Sequence, residues 1–333
     1  MRIAVIGAGA MGGTYAALLD RAGHEVEVTA RGDHLAAIRA DGLRLDGAWG
    51  EHVARVDAAE TLSASPDLAI LATKAQDAEA ALGPNAEMLG RTPLVVVQNG
   101  LDGLASARRQ LPESPLIGAL ALMACSYLSP GRVTVTAGLP TILGADPAHP
   151  DAAALSAAAD ALSGVMPIEV VPDFEGAQWT KLLINHVNAM PAITGWSVQQ
   201  TIADPRLRRV ITASMRETVR VARARGIRFG RVQGLGDAAL GLVGRAPLAI
   251  GAFFPRLLAA RMGSVPNPGS TLQSIRRGQL TEIESLNGAV VRVARESGLR
   301  APVNQVLTTL VHEVEETGAF LSADEVASRV RRR

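Results

Sequence analysis

The stretch Thr180-Lys181-Leu182-Leu183-Ile184-Asn185-His186-Val187-Asn188 sets an amine and two amides into an otherwise apolar run. Lys181 and Asn185 are four apart and share a helix face, and Asn188 follows three later on the same face. Asn is a poor residue for a helix interior, so the stripe is either turned to solvent or built to hold a polar small molecule. The lysine is informative in itself. The chain has 33 basic residues, and only Lys74 and Lys181 are not arginine. Arginine stays charged near neutral pH, whereas a buried lysine can deliver a proton. Lys181 is therefore a candidate proton donor; the alternative is a surviving lysine on a helix surface.

A second polar stretch is Ser270-Thr271-Leu272-Gln273-Ser274-Ile275-Arg276-Arg277-Gly278-Gln279-Leu280-Thr281-Glu282-Ile283-Glu284. Thr281 or a neighbour can cap a following helix, with Glu282 and Glu284 in its first turn, where the helix dipole favours negative charge. Either these glutamates serve the helix end, or one of them faces a ligand.

The third candidate site opens the chain. Residues 2–6 (RIAVI) form an apolar run of strand length, followed by Gly7-Ala8-Gly9-Ala10-Met11-Gly12. Residues 14–22 then read as a helix ended by Gly23, and Glu25 to Thr29 alternates like a second strand. Strand, glycine turn, helix and strand within about 30 residues is the dinucleotide-binding pattern. Gly7 permits the tight turn, Gly9 admits the pyrophosphate close to the backbone, and Gly12 lets the helix pack on the strand. The helix N-terminus then offers free N–H groups to the phosphates. An acid that would accept from a ribose 2′-OH is missing after the second strand. Arg31 stands there instead, and a guanidinium suits a 2′-phosphate, which favours NADP over NAD.

The elements that must position these residues follow the same grammar. Strands are expected at 67–71, 94–98 and 116–120, with further strands at 132–143 and 168–171 extending the sheet by hairpins. Lys74 and Asn99 fall at the carboxyl ends of two of these strands, where open α/β sheets bind ligands. Asn99-Gly100 is also a common turn pair. From about Phe174 helical periodicity takes over, with helices expected at 179–190, 205–226, within 269–297 and at 302–318. The loop from Gly263 to Gly269, with Pro266 and Pro268, is a breaker. The fold class is α/β: a Rossmann-type dinucleotide-binding domain over 1–172, then an all-helical domain over 173–333.

Composition narrows the function. The chain is 48% hydrophobic and 20% charged, an ordinary core-forming balance, and its net charge of +1 gives no general attraction to nucleic acid. The basic tail of Arg329, Arg331, Arg332 and Arg333 reads as a solvated end. The apolar stretch around 239–254 is interrupted by Arg245 and Pro247, so it is too short to span a bilayer and reads as a buried or groove-lining helix pair. No secretory leader is expected. One cysteine, Cys125, excludes an intrachain disulfide and suits the cytoplasm, and the six histidines lack metal-binding spacing.

Taken together, GAGAMG, Arg31, TKAQDAE after the third main strand, QNG at 98–100, WTKLLIN at 179–185 and STLQSIRRGQLTEIESLNG at 270–288 make the chain resemble the ketopantoate reductases of the 6-phosphogluconate dehydrogenase-like superfamily. The resemblance runs over nearly the whole chain. It implies NADPH-dependent reduction of a 2-oxo acid, ketopantoate first among them, to a 2-hydroxy acid. It makes Lys181 the proton donor and Glu282 the acid that organises the active site. It places Arg31, Lys74 and Asn99 on the cofactor, and Asn99, Asn185, Asn188 and Ser270 on the substrate. A homodimer is an expectation of the same kind. The chain departs from the family pattern after the lysine: position 189 is Ala, with the second amide at Asn188, and residues 195–198 read Gly-Trp-Ser-Val where a further asparagine is usual. The usual TEID is TEIE here. These changes touch substrate recognition more than hydride transfer. A same-fold reductase for another oxo acid, imine or hydroxy acid, and a non-catalytic NADP sensor, are the competing readings.

Overall fold

A computed structural model describes residues 1–262 and 265–332. Gly263 and Arg333, named above, lie outside the described residues. The chain divides into two compact units, Met1–Phe174 and Glu175–Arg333.

The first unit is built on an eight-stranded sheet. In chain order its strands are β1 (Arg2–Ile6), β2 (Glu25–Thr29), β5 (Asp57–Ala59), β6 (Leu68–Leu71), β7 (Leu94–Val97), β8 (Leu116–Ala121), β11 (Thr141–Ala145) and β12 (Ile168–Val170). They lie in the order β12-β11-β8-β7-β6-β1-β2-β5, all parallel except where β11 runs antiparallel to β8. The central strands β6 and β7 are buried at every position, which is why they read as unbroken apolar runs rather than alternating ones. Helix α1 (Ala10–Arg21) follows β1, and its Tyr15, Leu18 and Leu19 are wholly buried.

Three strands of a second, four-stranded sheet had no counterpart in the sequence. It holds β3 (Leu43–Gly47), β4 (His52–Ala54), β9 (Ala124–Ser129) and β10 (Arg132–Ala137), in the order β4-β3-β10-β9. The expected strand at 132–143 is therefore two strands in two sheets: β10 pairs with β3 and β9, and only β11 joins the main sheet.

The second unit is helical. The helix expected at 179–190 runs instead over Phe174–Asn185, breaks into a 3₁₀ turn at His186–Asn188 and resumes at Ala189–Thr194. Gly195 ends that helix at φ +73°, a left-handed stop. The long helix Pro205–Ala224 has Asp204 as its cap, accepting from the N–H groups of Arg206 and Leu207. The region 269–297 is not one helix. Gly269–Arg276 is the first piece, a π-helical turn covers Glu284–Gly288, and Ala289–Glu296 is the last. The helix Pro302–Thr317 closes with Gly318 at φ +69°.

The segment read as buried or groove-lining forms three short helices, Asp237–Arg245, Leu248–Gly251 and Phe253–Arg261. Only one face is buried, through Leu240, Val243, Phe254 and Leu258, while Leu242, Ile250 and Phe253 are more than half exposed. Among the described residues, no helix is long and apolar enough to cross a membrane.

Candidate functional site

The glycine turn joins β1 to α1. Gly7 has φ +92°, and a Cβ on it would lie 2.5 Å from Thr73 Cγ2. On Gly12 a Cβ would lie 1.9 Å from the Gly7 carbonyl oxygen and 3.1 Å from Ala72 Cβ, so the helix can pack on the turn only through glycine. Gly9 caps α1 and is exposed; a Cβ there would meet no atom within 4 Å, and no side chain caps the helix. That is open space at an uncapped helix N-terminus, the arrangement that accepts a phosphate. The turn is held from β2: Thr29 Oγ1 accepts from the Gly7 N–H at 2.9 Å, and Thr29 O from the Ala8 N–H at 2.9 Å.

Arg31 lies two residues beyond β2 and is exposed at the N-cap of helix α2 (Gly32–Asp41). Lys74 and Asn99 follow β6 and β7 by three and two residues and are part-buried. Their loops are tied together by Gln98, whose Nε2 donates to the Thr73 carbonyl at 3.1 Å. Thr73 Oγ1 and Gln98 Oε1 are buried in these loops without a hydrogen-bond partner in the protein. Buried polar atoms rarely go unsatisfied, and a bound molecule or water would complete them. A dinucleotide fits this edge of the sheet: glycine turn, helix N-terminus, Arg31 and two orphaned polar atoms.

In the second unit, Lys181 is part-buried in the last two turns of the Phe174–Asn185 helix. Burial pushes its amine down from 10.5 to about 8, and the Glu282 carboxylate opposes that fall. The two residues are 101 positions apart, so this pairing is a product of the fold. Glu282 and Glu284 separate in role. Glu284 is exposed and its Oε1 pairs with His312 Nε2 at 2.9 Å, while Glu282 is part-buried and acts on Lys181. Glu282 also precedes the π-helical turn rather than lying in a first helical turn, and Thr281 Oγ1 accepts from the Ile283 N–H at 3.3 Å.

Asn188 and Ser270 come together, with Asn188 Nδ2 donating to Ser270 Oγ at 3.5 Å. Gly269 makes this approach possible: its φ is +70°, and a Cβ on it would lie 2.7 Å from Asn188 Oδ1. Asn185, the last residue of the Lys181 helix, is part-buried. The second unit thus offers an amine of lowered pKa, a carboxylate coupled to it, and an amide with a hydroxyl. Such a set can stabilise a growing oxyanion and protonate it.

Six buried residues behind this set escaped the sequence reading. His186 Nδ1 accepts from Asn287 Nδ2 at 3.0 Å, so Nε2 carries the proton and donates to Thr218 Oγ1 at 2.7 Å. Asn287 Nδ2 also donates to Asn304 Oδ1 at 2.9 Å, Ser214 Oγ donates to the same oxygen at 2.8 Å, and Asn304 Nδ2 donates to Glu217 Oε2 at 2.8 Å. Burial drives His186 down to about 3, so the ring is neutral at any physiological pH. The network joins the end of the Lys181 helix to the π-helical turn that follows Glu282. The only trace in the sequence is adjacency: His186 follows Asn185, and Asn287 lies in the quoted ESLNG.

A cavity of about 580 Å³ lies elsewhere in the second unit, lined among others by Arg295, Arg300, Arg329, Val306 and Leu310. None of the candidate site residues lines it, but Arg329 and Arg332 of the basic tail do, so that tail is not simply a solvated end. Arg295 and Arg329 stand in the last turns of their helices, where the dipole favours cations, and that accounts for them.

The family model described as "Ketopantoate reductase PanE/ApbA" matches residues 3–147, and "Ketopantoate reductase PanE/ApbA C terminal" matches residues 173–315. The chain belongs to the ketopantoate reductase family. A 2-dehydropantoate 2-reductase of Halobacterium salinarum is 30% identical over 325 residues, covering 96% of this chain and 100% of that protein. One from Pyrococcus horikoshii is 26% identical, covering 96% and 99%. A PanE/ApbA family ketopantoate reductase from Ralstonia eutropha superposes with a TM-score of 0.81 at 28% identity, over 95% of this chain and 99% of that one. A D-mandelate dehydrogenase solved with NADH and anilino(oxo)acetate has the same TM-score at 21% identity, which speaks for the fold alone.

One prediction arises directly from the Lys181–Glu282 pair. With Lys181 as the proton donor, activity is expected to be full well below pH 8 and to be lost as pH rises through that value. Glu282→Gln removes the charge that holds the amine up, and the alkaline limb of kcat/KM should move down by about one pH unit. A limb that stays in place would show that Glu282 does not act on Lys181.

Proposed function

We propose that this member of the ketopantoate reductase family reduces 2-dehydropantoate to pantoate with NADPH. The chain is an oxidoreductase acting on a small molecule, and NADP is its cofactor. The observation that carries the reading is Lys181 with its lowered amine pKa coupled to Glu282, in a chain that otherwise uses arginine wherever a plain charge suffices. When bound, the cofactor supplies the hydride that reaches the C2 carbonyl carbon. The residues of this chain do the rest. The glycine turn and the α1 N-terminus hold the pyrophosphate, Arg31 holds the 2′-phosphate, and Lys74 and Asn99 complete the cofactor contacts. Asn185, Asn188 and Ser270 orient the oxo acid. Lys181 stabilises the charge that grows on the carbonyl oxygen and delivers its Nζ proton there, and Glu282 keeps that proton in place.

The test is NADPH oxidation by the purified protein with a panel of 2-oxo acids including ketopantoate. A high kcat/KM for ketopantoate supports the reading. Turnover with another oxo acid alone would place a change of specificity in the Asn188 to Val198 region. Cofactor binding without turnover of any of them would favour an NADP sensor. We also place the enzyme in the cytoplasm as a homodimer; sedimentation of the purified protein tests the latter.

Arg31 carries a prediction of its own. Arg31→Ala should lower kcat/KM with NADPH about 10–100-fold, the worth of one bidentate charged contact, and leave the NADH value nearly unchanged. An unaltered ratio between the two cofactors would remove Arg31 from the 2′-phosphate site.

A further inference from the structure

His34 lies in the first turn of α2, beside Arg31, and neither of its ring nitrogens is spare. Nε2 is 2.7 Å from the Ala8 carbonyl oxygen, inside the glycine turn. Nδ1 accepts from the backbone N–H of Gly131 at 2.9 Å, in the turn between β9 and β10. A carbonyl can only accept and an N–H can only donate. The two bonds therefore exist together in a single form of the ring, neutral, with its hydrogen on Nε2. Burial lowers the pKa of the ring, which favours that neutral form. The Tyr127 ring stands edge-on to it, with centroids 4.9 Å apart and planes at 75°. Gly131 is itself anchored, its carbonyl accepting from the Arg44 N–H of β3 at 2.8 Å, so the brace ends in the second sheet. The nearby charges are Arg31 and Asp33 on α2, both exposed, and Arg132, which is paired with Asp46.

The consequence lies in the geometry of one peptide. In a trans peptide the carbonyl of one residue and the N–H of the next point in opposite directions. Fixing Ala8 O on His34 therefore fixes the Gly9 N–H facing away from His34. Gly9 is exposed, caps α1, and has open space around the position of its missing Cβ. Thr29 holds the N–H groups of Gly7 and Ala8 from the other side, so the turn is pinned from β2 and from α2 at once.

We propose that His34 is a positioning residue for the cofactor's pyrophosphate, locked in one tautomer between Ala8 and Gly131 so that the Gly9 N–H is aimed at the phosphates before the cofactor arrives. A preset donor costs no reorganisation on binding. This role rests on NADP as the cofactor, and it touches neither the hydride nor the proton.

The test is calorimetric binding to the apo protein with two probes: NADP⁺, and 2′-AMP, which carries the adenosine and the 2′-phosphate but no pyrophosphate. His34→Ala is expected to weaken NADP⁺ about tenfold, the scale of one backbone hydrogen bond to a charged group. Its affinity for 2′-AMP should stay within about twofold, because Arg31 and the adenosine contacts are intact. His34→Gln can still donate to Ala8 and accept from Gly131, and should stay within about threefold of wild type for both probes. Equal losses for NADP⁺ and 2′-AMP would mean that His34 acts through α2 and Arg31, and would overturn the proposal. So would unchanged NADP⁺ binding in His34→Ala, or a loss in His34→Gln as large as that in His34→Ala. Failure of the wild type to bind NADP⁺ would bring down the cofactor assignment, a result separate from any effect of the variants.

Discussion

Lys181→Arg should lower kcat by about 10²–10⁴-fold, the range typical of a general acid, and leave NADP⁺ affinity unchanged. Arginine keeps the positive charge that stabilises the developing oxyanion, but its pKa above 12 withholds the proton. The lysine achieves the opposite balance: burial lowers its amine to about 8, and Glu282 stops it from falling further. It is charged at neutral pH and still able to let its proton go. Single-turnover consumption of bound NADPH isolates the chemical step from product release. An unchanged single-turnover rate in Lys181→Arg would remove this residue from proton delivery. Lys181→Ala gives a second check, because a small soluble amine should restore part of the rate there and none in the arginine variant.

Gly12→Ala is expected to weaken NADP⁺ binding by about two orders of magnitude, and to lower stability by roughly 1–3 kcal/mol, the usual cost of overpacking. The added Cβ would stand 1.9 Å from the Gly7 carbonyl oxygen. That neighbour is backbone, so no rotamer change relieves the clash, and either α1 retreats or the turn opens. Each outcome moves the N–H groups that meet the pyrophosphate. Gly9→Ala is the matched control: its Cβ meets nothing in the protein, so stability should hold while NADP⁺ affinity falls. Thermal unfolding with and without NADP⁺ separates the two effects. If Gly12→Ala bound NADP⁺ as tightly as wild type, the packing reason for a glycine there would be wrong.

The centre of the main sheet was legible because parallel strands buried on both faces must be continuous apolar runs, as LAIL and LVVV are, whereas the three-residue edge strand β5, exposed or part-buried throughout, was not. Nor was most of the second sheet. Its strands LRLDG, HVA and ACSYLS are short and half-exposed, so they carry neither an unbroken run nor a clean alternation. The break after Asn185 was hidden for another reason. Its marker, Pro191, stands downstream of the break: proline has no N–H for the Val187 carbonyl and its ring crowds that carbonyl, so the disturbance falls four residues earlier, in the 3₁₀ turn. Of the candidate site, the glycine turn and Arg31 followed from local chemistry. The choice of Glu282 over Glu284, and a role for Ser270, came only through resemblance, because Lys181 and Asn188 lie 101 and 82 positions away, beyond any local pattern. The His186 network was invisible for the same reason, and because its polar residues sit where periodicity predicts apolar ones.

The lysine-poor surface makes Lys181 chemically addressable. At pH 8 about half of a pool of amines with a pKa near 8 is unprotonated and nucleophilic, against roughly 0.4% for an ordinary lysine near 10.4. A chain with two lysines leaves Lys74 and the exposed α-amino group of Met1 as the competing amines, and labelled peptides tell these apart from Lys181. A mild acylating or Schiff-base-forming probe would then report on Lys181, and protection by the oxo acid would test whether the substrate covers it, without any turnover.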